Sequence, residues 1–592
     1  MNRTELKTEI DQRWPAQVQC RSESASLCEL ACARAALPEL CGRLFLEWNF
    51  SFAGLIVEEG ASEWQLRYAF YGDVAAAPPP QNVRATSSSS ETQMAKSGDV
   101  ASPSLTVTKA SQPIGWVHVL VTAPLAEKTF PSIVKFVHAA DWHEREAEDL
   151  FGIHFDGHPR LGDFILHDDA WQENVEPMRR HFDPKAAMRH RKPDEDWRPH
   201  RIVQEPGAFV MPVGPKYSGV TESVHFLLET VGEDVIRSTP RLFYKWRAIE
   251  KLAEGKTADE VLLLAERFAA TTAFAHGLAY CQAVESICGA NVPPRSKTLR
   301  VFLAELERLR QHAGAIQEIC ESTALAVANA HAGICEEELL RISGELTGHR
   351  YLFGLLALGG LLCDLPNDAC AKALEKSQKV LTQLNVLEKH LRVSSSFLDR
   401  LEEVGIVPER TAMVYGLLGP IARASGIIRD LRRAQPYLGY ENLQFDVPGE
   451  QEGDGYARLR ILFAEARQSG RIMEQAVAAL NKVGRASPLP AARQPTQDGA
   501  HGVARPTNSK DSDICAPFQF RAGAALGWVE APRGGAFHWV RLDGNGKVAR
   551  YRIIAPSFAN WHGFHLSVEK FAFQDFPIML STFDLSVSEN DR

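Results

Sequence analysis

Eleven cysteines are the residues of this chain best suited to metal or redox chemistry, and their spacing limits what they can do. Thiolates are soft ligands that hold nickel, iron or zinc when several converge. The usual local device is a CxxC pair, and none occurs anywhere in the 592 residues. Cys28 and Cys32 stand four positions apart on a stretch that reads as helical, with Cys20 and Cys41 on either side. A thiolate site there competes with the plainer reading of small buried hydrophobes, the commoner state of free cysteine. A second concentration of reactive groups is the run at residues 139–161, AADWHEREAEDLFGIHFDGHPRL. It reads as a helix stopped at Phe151-Gly152, where glycine supplies the terminator. Glu144, Arg145, Glu146, Glu148 and Asp149 give this helix a charged outer face, expected to be solvated and laced by local ion pairs.

The elements that must position such groups follow from the rest of the chain. A length of 592 residues exceeds one compact domain, so several are expected. A net charge of −9 leaves no basic stripe for a nucleic acid, and no nucleic-acid partner is expected. The amino terminus, MNRTELKTEIDQRW, lacks the apolar core of a secretory leader, which favours a reducing compartment for the cysteines. The longest apolar run, residues 351–363, is shorter than the roughly 20 residues of a helical span and reads as a buried helix. The chain is expected to be soluble, with any membrane association made through partners.

Two stretches rich in Pro, Ser and other small or polar residues, 75–111 and 485–512, divide the sequence. Strand-like runs at 52–57, 64–71 and 114–121 flank the first, which therefore reads as a mobile loop inside one α/β domain at 1–190. A charged connector at 191–201 leads into a mainly helical region at 202–484. Amphipathic periods over 301–319, 371–404 and 455–483 imply a bundle there. The second biased stretch reads as a flexible insert, followed by a C-terminal part at 513–592 with strand-like runs at 525–530, 537–542 and 548–554. Asp543-Gly544-Asn545-Gly546, between the last two, is a hairpin signal. The fold class is α+β and multidomain: an α/β domain, then a helical bundle with small β elements at its start and its C-terminal end.

Several segments carry a resemblance. ERExxDLFGIxFxGHP, beginning at Glu144, resembles the signature of the 30-kDa-type subunit of complex I. A second set resembles the 49-kDa-type subunit of complex I and the large subunit of group 4 (energy-converting, formate hydrogenlyase-type) NiFe hydrogenases. It comprises Pro212-Val213-Gly214-Pro215, RLFYKWRAIEKL at 241–252, Val292-Pro293-Pro294-Arg295 and Glu345-Leu346-Thr347-Gly348. GPIARASG at 419–426, Tyr437-Leu438-Gly439-Tyr440 and Glu530-Ala531-Pro532-Arg533-Gly534 complete it. The resemblance covers nearly the whole chain outside the two biased stretches. It implies a 30-kDa-like domain fused to a hydrogenase-large-subunit-like bundle, the arrangement of formate hydrogenlyase-type hydrogenases.

In such hydrogenases two CxxC pairs hold nickel and iron. The matching positions here are Ala269 and Thr272, and Ser586 and Glu589, so the resemblance implies a site that has lost every thiolate and forms no NiFe centre. Cys288, in ICGA, falls nineteen residues too late and reads as a packing residue. Complex I sets a histidine and a tyrosine around the quinone headgroup; those positions are Tyr217 and Ala270, so the usual quinone ligands are missing as well, and quinone binding stays open. Parts of the surrounding shell match: Glu222 stands where the family has a proton-transferring acid, Arg533 where an arginine overhangs the metals, and His276 and Asp584 beside the lost ligands. Each has a plainer reading: Glu222 as a surface turn residue, Arg533 as the partner of Glu530 or Asp584, and His276 as a hydrogen-bonded core residue.

The family also implies partners: a complex I 20-kDa-like small subunit bearing a 4Fe-4S cluster, and antiporter-like and subunit-1-like integral membrane proteins. The expectation is a subunit of an energy-converting oxidoreductase, peripheral on the cytoplasmic face of the inner membrane, binding no cofactor through its own residues. A non-catalytic scaffold is the alternative, and the four substitutions count against an active hydrogenase.

Overall fold

The computed structural model describes residues 2–23, 27–73, 114–172, 175–184, 203, 206–215, 222–483 and 514–592. The expected loop at 75–111, the connector at 191–201, the insert at 485–512 and Tyr217 lie outside them.

Five strands form the first sheet: β1 (Val18–Glu23), β2 (Leu27–Cys32), β3 (Ser51–Glu59), β4 (Glu63–Tyr71) and β5 (Trp116–Pro124), in the order β1-β2-β5-β4-β3. All pairings are antiparallel except β2 with β5. The stretch holding Cys28 and Cys32 is thus a strand and not a helix. Cys28, Leu30 and Cys32 are buried at every second position, the two-residue period of a half-buried strand. Pairing with β5 overrides the helical leaning of Leu, Glu and Ala in so short a run.

Helix α1 (Asp141–Phe151) ends as its sequence predicts, on Gly152 in the left-handed region at φ 67°. Its charged face, however, is not solvated, because Glu144, Arg145 and Glu146 are all buried. Glu144 accepts hydrogen bonds from the Ser132 hydroxyl at 2.5 Å and the Ile133 amide at 2.9 Å, and burial lifts its carboxyl to about 7 despite them. Arg145 donates to the carbonyls of Gly162 and Asp163 at 3.2 Å and stacks 4.3 Å from the Phe164 ring centre. Polar groups this deep must find partners inside the protein, and these do.

A second, three-stranded antiparallel sheet follows, with β6 (Ala208–Val213), β7 (His225–Val231) and β8 (Asp234–Arg241) in the order β8-β7-β6. The helices α2 (Ala258–Arg267), α3 (Ala273–Cys288), α4 (Pro294–Ser322), α5 (Ala326–Thr347), α6 (Asn367–Leu391) and α7 (Gly455–Val483) form the expected bundle, with α4 packed on α7 and α5. The helix expected over 371–404 stops at Leu391, beyond which only a short turn of helix, Ser395–Leu398, forms. Residues 351–363 are not helical either. Gly354 and Gly359 take positive φ, and Leu356–Ala357 pairs back on Gly360–Leu361 as a buried hairpin.

The C-terminal part contributes the antiparallel sheet β9 (Gly523–Ala531), β10 (Gly534–Leu542) and β11 (Val548–Ile554), then α8 (Pro556–Ser567) and α9 (Phe576–Phe583). β10 and β11 join through the predicted Asp-Gly-Asn-Gly turn. β9 lies directly on α3: a Cβ at Gly527 would stand 1.9 Å from the Ala279 carbonyl oxygen, so only glycine permits this approach. Among the described residues no helix is long and apolar enough to cross a membrane.

The first sheet and α1 meet the C-terminal sheet across a seam of buried charge. Arg552 on β11 grips the Glu146 carboxylate through both terminal nitrogens and reaches Glu250 at 3.2 Å. Arg592 joins the same carboxylates, at 2.9 Å from Glu146 and 3.4 Å from Glu250. Removing one partner of a buried ion cluster leaves the others uncompensated, at roughly 3–5 kcal/mol. Glu146→Ala should therefore lower the free energy of unfolding by about that amount in denaturant titrations. A loss below about 1 kcal/mol would show that apolar packing alone holds the seam.

Candidate functional site

The four positions that the resemblance matches to metal ligands come from two segments that the fold brings side by side. Ala269 and Thr272 lie in the turn between α2 and α3, which contains the short helical turn Ala270–Thr272; Ser586 and Glu589 lie on the tail after α9. Arg247 stitches the segments together. Its guanidinium donates to the carbonyls of Phe268 at 2.8 Å, Ser588 at 2.6 Å and Asp591 at 3.0 Å.

Glu589 is fully buried between them. Its Oε1 accepts from the Thr272 hydroxyl at 3.1 Å and lies 3.4 Å from Arg533 Nη1, and its Oε2 accepts from the Ser557 amide at 3.2 Å. Two of the four positions are thus bonded to each other. Burial alone would raise this carboxyl, but the His276 imidazole and the Arg533 charge outweigh it and hold the group at about 2. Ser586 is spent locally, its Oγ 2.9 Å from that of Ser588, and Ala269 contributes only a buried methyl group.

Arg533 sits in the β9–β10 turn. It donates to the Asp584 carbonyl at 2.6 Å, the Asp584 carboxylate at 3.1 Å and the Thr271 hydroxyl at 3.0 Å. Of its two expected partners it takes Asp584, because Arg423 and the Leu431 amide already hold Glu530 at 2.9 and 3.0 Å. Asp584 ends α9 in the left-handed region, and its carboxylate also accepts from the Gln311 amide nitrogen at 2.9 and 3.0 Å.

His276 is a core residue of α3. Its Nδ1 is 3.0 Å from His538 Nε2, and His538 Nδ1 is 2.7 Å from the Tyr551 hydroxyl. Its Nε2 points at Glu589 from 3.7 Å, beyond hydrogen-bond length. Burial and the neighbouring His276 keep His538 well below the ordinary imidazole range, hence neutral. One consistent set of tautomers runs from the Tyr551 hydroxyl through His538 to His276, whose Nε2–H then faces the Glu589 carboxylate without a hydrogen bond.

Glu222 is exposed, yet it is more than a turn residue: its carboxylate accepts from the Val587 and Ser588 amides at 2.6 and 3.0 Å and so clamps the tail. The structure therefore gathers Glu222, His276, Arg533 and Asp584 around the same two segments. Ala270 is exposed beside them, and Cys288 is buried at the far end of α3.

Two further carboxylates belong to the neighbourhood. Glu307 on α4 accepts from the Phe274 and Ala275 amides at 2.7 and 2.9 Å, and burial raises it to about 7. Asp591 is raised to about 7 by burial, which Glu222 reinforces and Arg247 opposes. No local pattern marked either: Glu307 falls on the side of its helix away from the apolar stripe of Phe302, Leu306 and Leu309, and Asp591 lies in the tail. A cavity of about 10 Å³, room for one water, touches Arg533 and Asp584. A larger cavity of about 320 Å³, beside Tyr71 and Arg429, reaches Glu530 but not Arg533, Asp584, His276 or Glu589.

The Glu589 carboxyl falls from the usual 4.5 to about 2 on folding, so it stabilises the fold above its unfolded value and loses that contribution as pH falls from there to about 2. Glu589→Gln should therefore cost on the order of 3 kcal/mol near neutrality, with the gap to the parent shrinking as pH falls below about 4.5. Denaturant unfolding at a series of pH values measures it, and a pH-independent gap would contradict the ionised, paired carboxylate.

Comparison with known proteins gives the family. The family described as respiratory-chain NADH dehydrogenase, 49 Kd subunit, matches residues 332–592, and the corresponding 30 Kd subunit family matches residues 97–187. Formate hydrogenlyase subunit 5 of Escherichia coli is 29% identical over 484 residues, 81% of this chain and 79% of that protein. The fused C/D polypeptide of the NADH-quinone oxidoreductase of Acinetobacter baylyi is 27% identical over 496 residues, covering 80% and 82%. The D polypeptide of the same enzyme in Akkermansia muciniphila is 30% identical over 385 residues, 64% of this chain and 92% of that protein. The chain belongs to the respiratory-chain NADH dehydrogenase subunit family, with its 30-kDa and 49-kDa parts fused in one polypeptide, and is homologous to hydrogenase subunits of the formate hydrogenlyase type.

Proposed function

We propose that this chain serves in a membrane-associated energy-converting oxidoreductase complex, forming a redox pocket beside an iron–sulfur subunit and linking electron transfer to ion translocation without a NiFe centre. The observation that carries the reading is the Thr272–Glu589 hydrogen bond under Arg533, which closes the former ligand positions on one another. A methyl group, two hydroxyls and a carboxylate already engaged by arginine do not suit nickel, which here would need bridging thiolates. No step is therefore routed through such a centre.

What remains suits proton handling. Glu307 and Asp591, held near 7 by burial, are poised to change charge close to neutral pH, and exposed Glu222 offers a route to solvent beside Asp591. The names of the relatives, formate hydrogenlyase, hydrogenase-4 and NADH-quinone oxidoreductase, support a redox complex. The 4Fe-4S cluster would lie in a complex I 20-kDa-like partner. Antiporter-like and subunit-1-like proteins would hold the assembly to the cytoplasmic face of the membrane. Ala270 gives a quinone headgroup no hydrogen bond.

One observation favours a scaffold instead: the arginine and carboxylates of the shell satisfy one another around a cavity of only about 10 Å³. Glu222→Gln and Arg533→Ala in the intact complex separate the readings. A working pocket predicts a loss of turnover by about a hundredfold for Arg533→Ala, the scale of a lost preorganised charge, with assembly retained. Unchanged turnover in both variants would establish the scaffold, and stoichiometric nickel in the purified complex would overturn the absence of a metal centre.

A further inference from the structure

Away from this site, two cysteines of the first sheet lie in sulfur–sulfur contact. On β1, Cys20 stands opposite Leu30 of β2, and Glu23 stands opposite Cys28. Opposed residues share a face of the sheet, so Cys20 points to the side occupied by Leu30, Cys32 and, by alternation, Cys28. In a regular ladder Cys20 and Cys28 would be diagonal neighbours about 7 Å apart. The register instead shifts between Cys20 and Ser22, with Arg21 as the extra residue of a bulge, a feature that bends and twists an edge strand. The two Sγ atoms stand 3.9 Å apart. Cys20 is exposed on the outer strand of the sheet, and Cys28 is buried behind it.

We propose that Cys20 and Cys28 are a reversible thiol–disulfide site that responds to low-molecular-weight disulfides. The Cys20 thiolate attacks one sulfur of the oxidant, whose S–S bond breaks and releases one thiolate. Cys28, as its thiolate, then attacks the Cys20 sulfur of the mixed disulfide and expels the second. One protein S–S bond forms, two electrons pass to the oxidant, and the two thiol protons end on the two small thiols released. Exposure gives Cys20 the first step, and Cys28 resolves from inside. Geometry selects Cys28: its Sγ is the one in contact with Cys20, whereas the Cys32 thiol donates to the Ala33 carbonyl at 3.3 Å and Cys41 is fully buried. The bond would fasten the edge strand to β2, which β5 already holds at Cys28 opposite Val117.

The test equilibrates the full chain with oxidised and reduced glutathione, traps free thiols by acid quench and alkylation, and maps peptides without reduction. The expected product is one cross-link between Cys20 and Cys28, reversed by excess reduced glutathione and absent from Cys20→Ser, a surface change that leaves the core untouched. In Cys28→Ala a glutathione adduct should accumulate on Cys20. A stable adduct on Cys20 of the unsubstituted chain with Cys28 still alkylated would overturn the proposal. So would a cross-link between two copies, or no oxidation of either thiol.

Discussion

Glu146 and Glu250 share two arginines, Arg552 and Arg592, in a place where all four side chains are buried. Taking such charges out of water costs several kcal/mol per ion, recovered only when geometry and hydrogen bonding are nearly complete. That condition makes the cluster a constraint on everything around it. Glu146 comes from α1 under the first sheet, Glu250 from the segment ahead of α2, Arg552 from β11, and Arg592 from the tail. Packing these elements in any other arrangement would strand a charge, so the cluster specifies which faces meet more than it adds net stability.

The candidate site obeys the same rule on a smaller scale. At its centre one carboxylate, Glu589, stands against one guanidinium, Arg533, with Thr272 and the Ser557 amide completing its hydrogen bonds. Asp584, Gln311 and Thr271 then saturate Arg533 and its neighbour. Within the bundle a further network of Glu305, Arg308, Arg423, Asp430, Arg432, Glu465 and Glu530 links α4, α7 and the start of β9–β10 in the same manner. Paired charge thus lines the site, and Glu307 and Asp591, which burial raises to about 7, are the nearby carboxylates without such a full set of counter-charges.

Local signals carried much of the architecture. The 29-residue helix Gly455–Val483 and the Asp-Gly-Asn-Gly hairpin are as their periodicity and turn chemistry imply. The stop of α1 at Gly152 was equally legible. What failed was whatever depends on a distant partner. The charged face of α1 reads as solvated because its counter-ions, Arg552 and Arg592, lie some 400 residues further on. Cys28 and Cys32 read as helical until β5 supplies a neighbour, and residues 351–363 read as a helix until their glycines turn back. At the site, the family resemblance singled out Thr272, Glu589, Arg533 and Asp584, but their mutual bonds depend on the path of the tail, which no local pattern encodes.

That tail has a mechanical consequence. From Asp584, anchored on Arg533, it runs past Glu222 and Arg247 to Arg592 in the seam. Gripped at both ends and clamped between, residues 584–592 fold back in a turn where the Asn590 and Asp591 amides donate to the Val587 carbonyl at 2.9 Å, so hydrogen bonds and not tension fix the path. The same nine residues therefore touch the candidate site at Arg533 and the first domain at Glu146. Loss of this one segment would open both contacts at once.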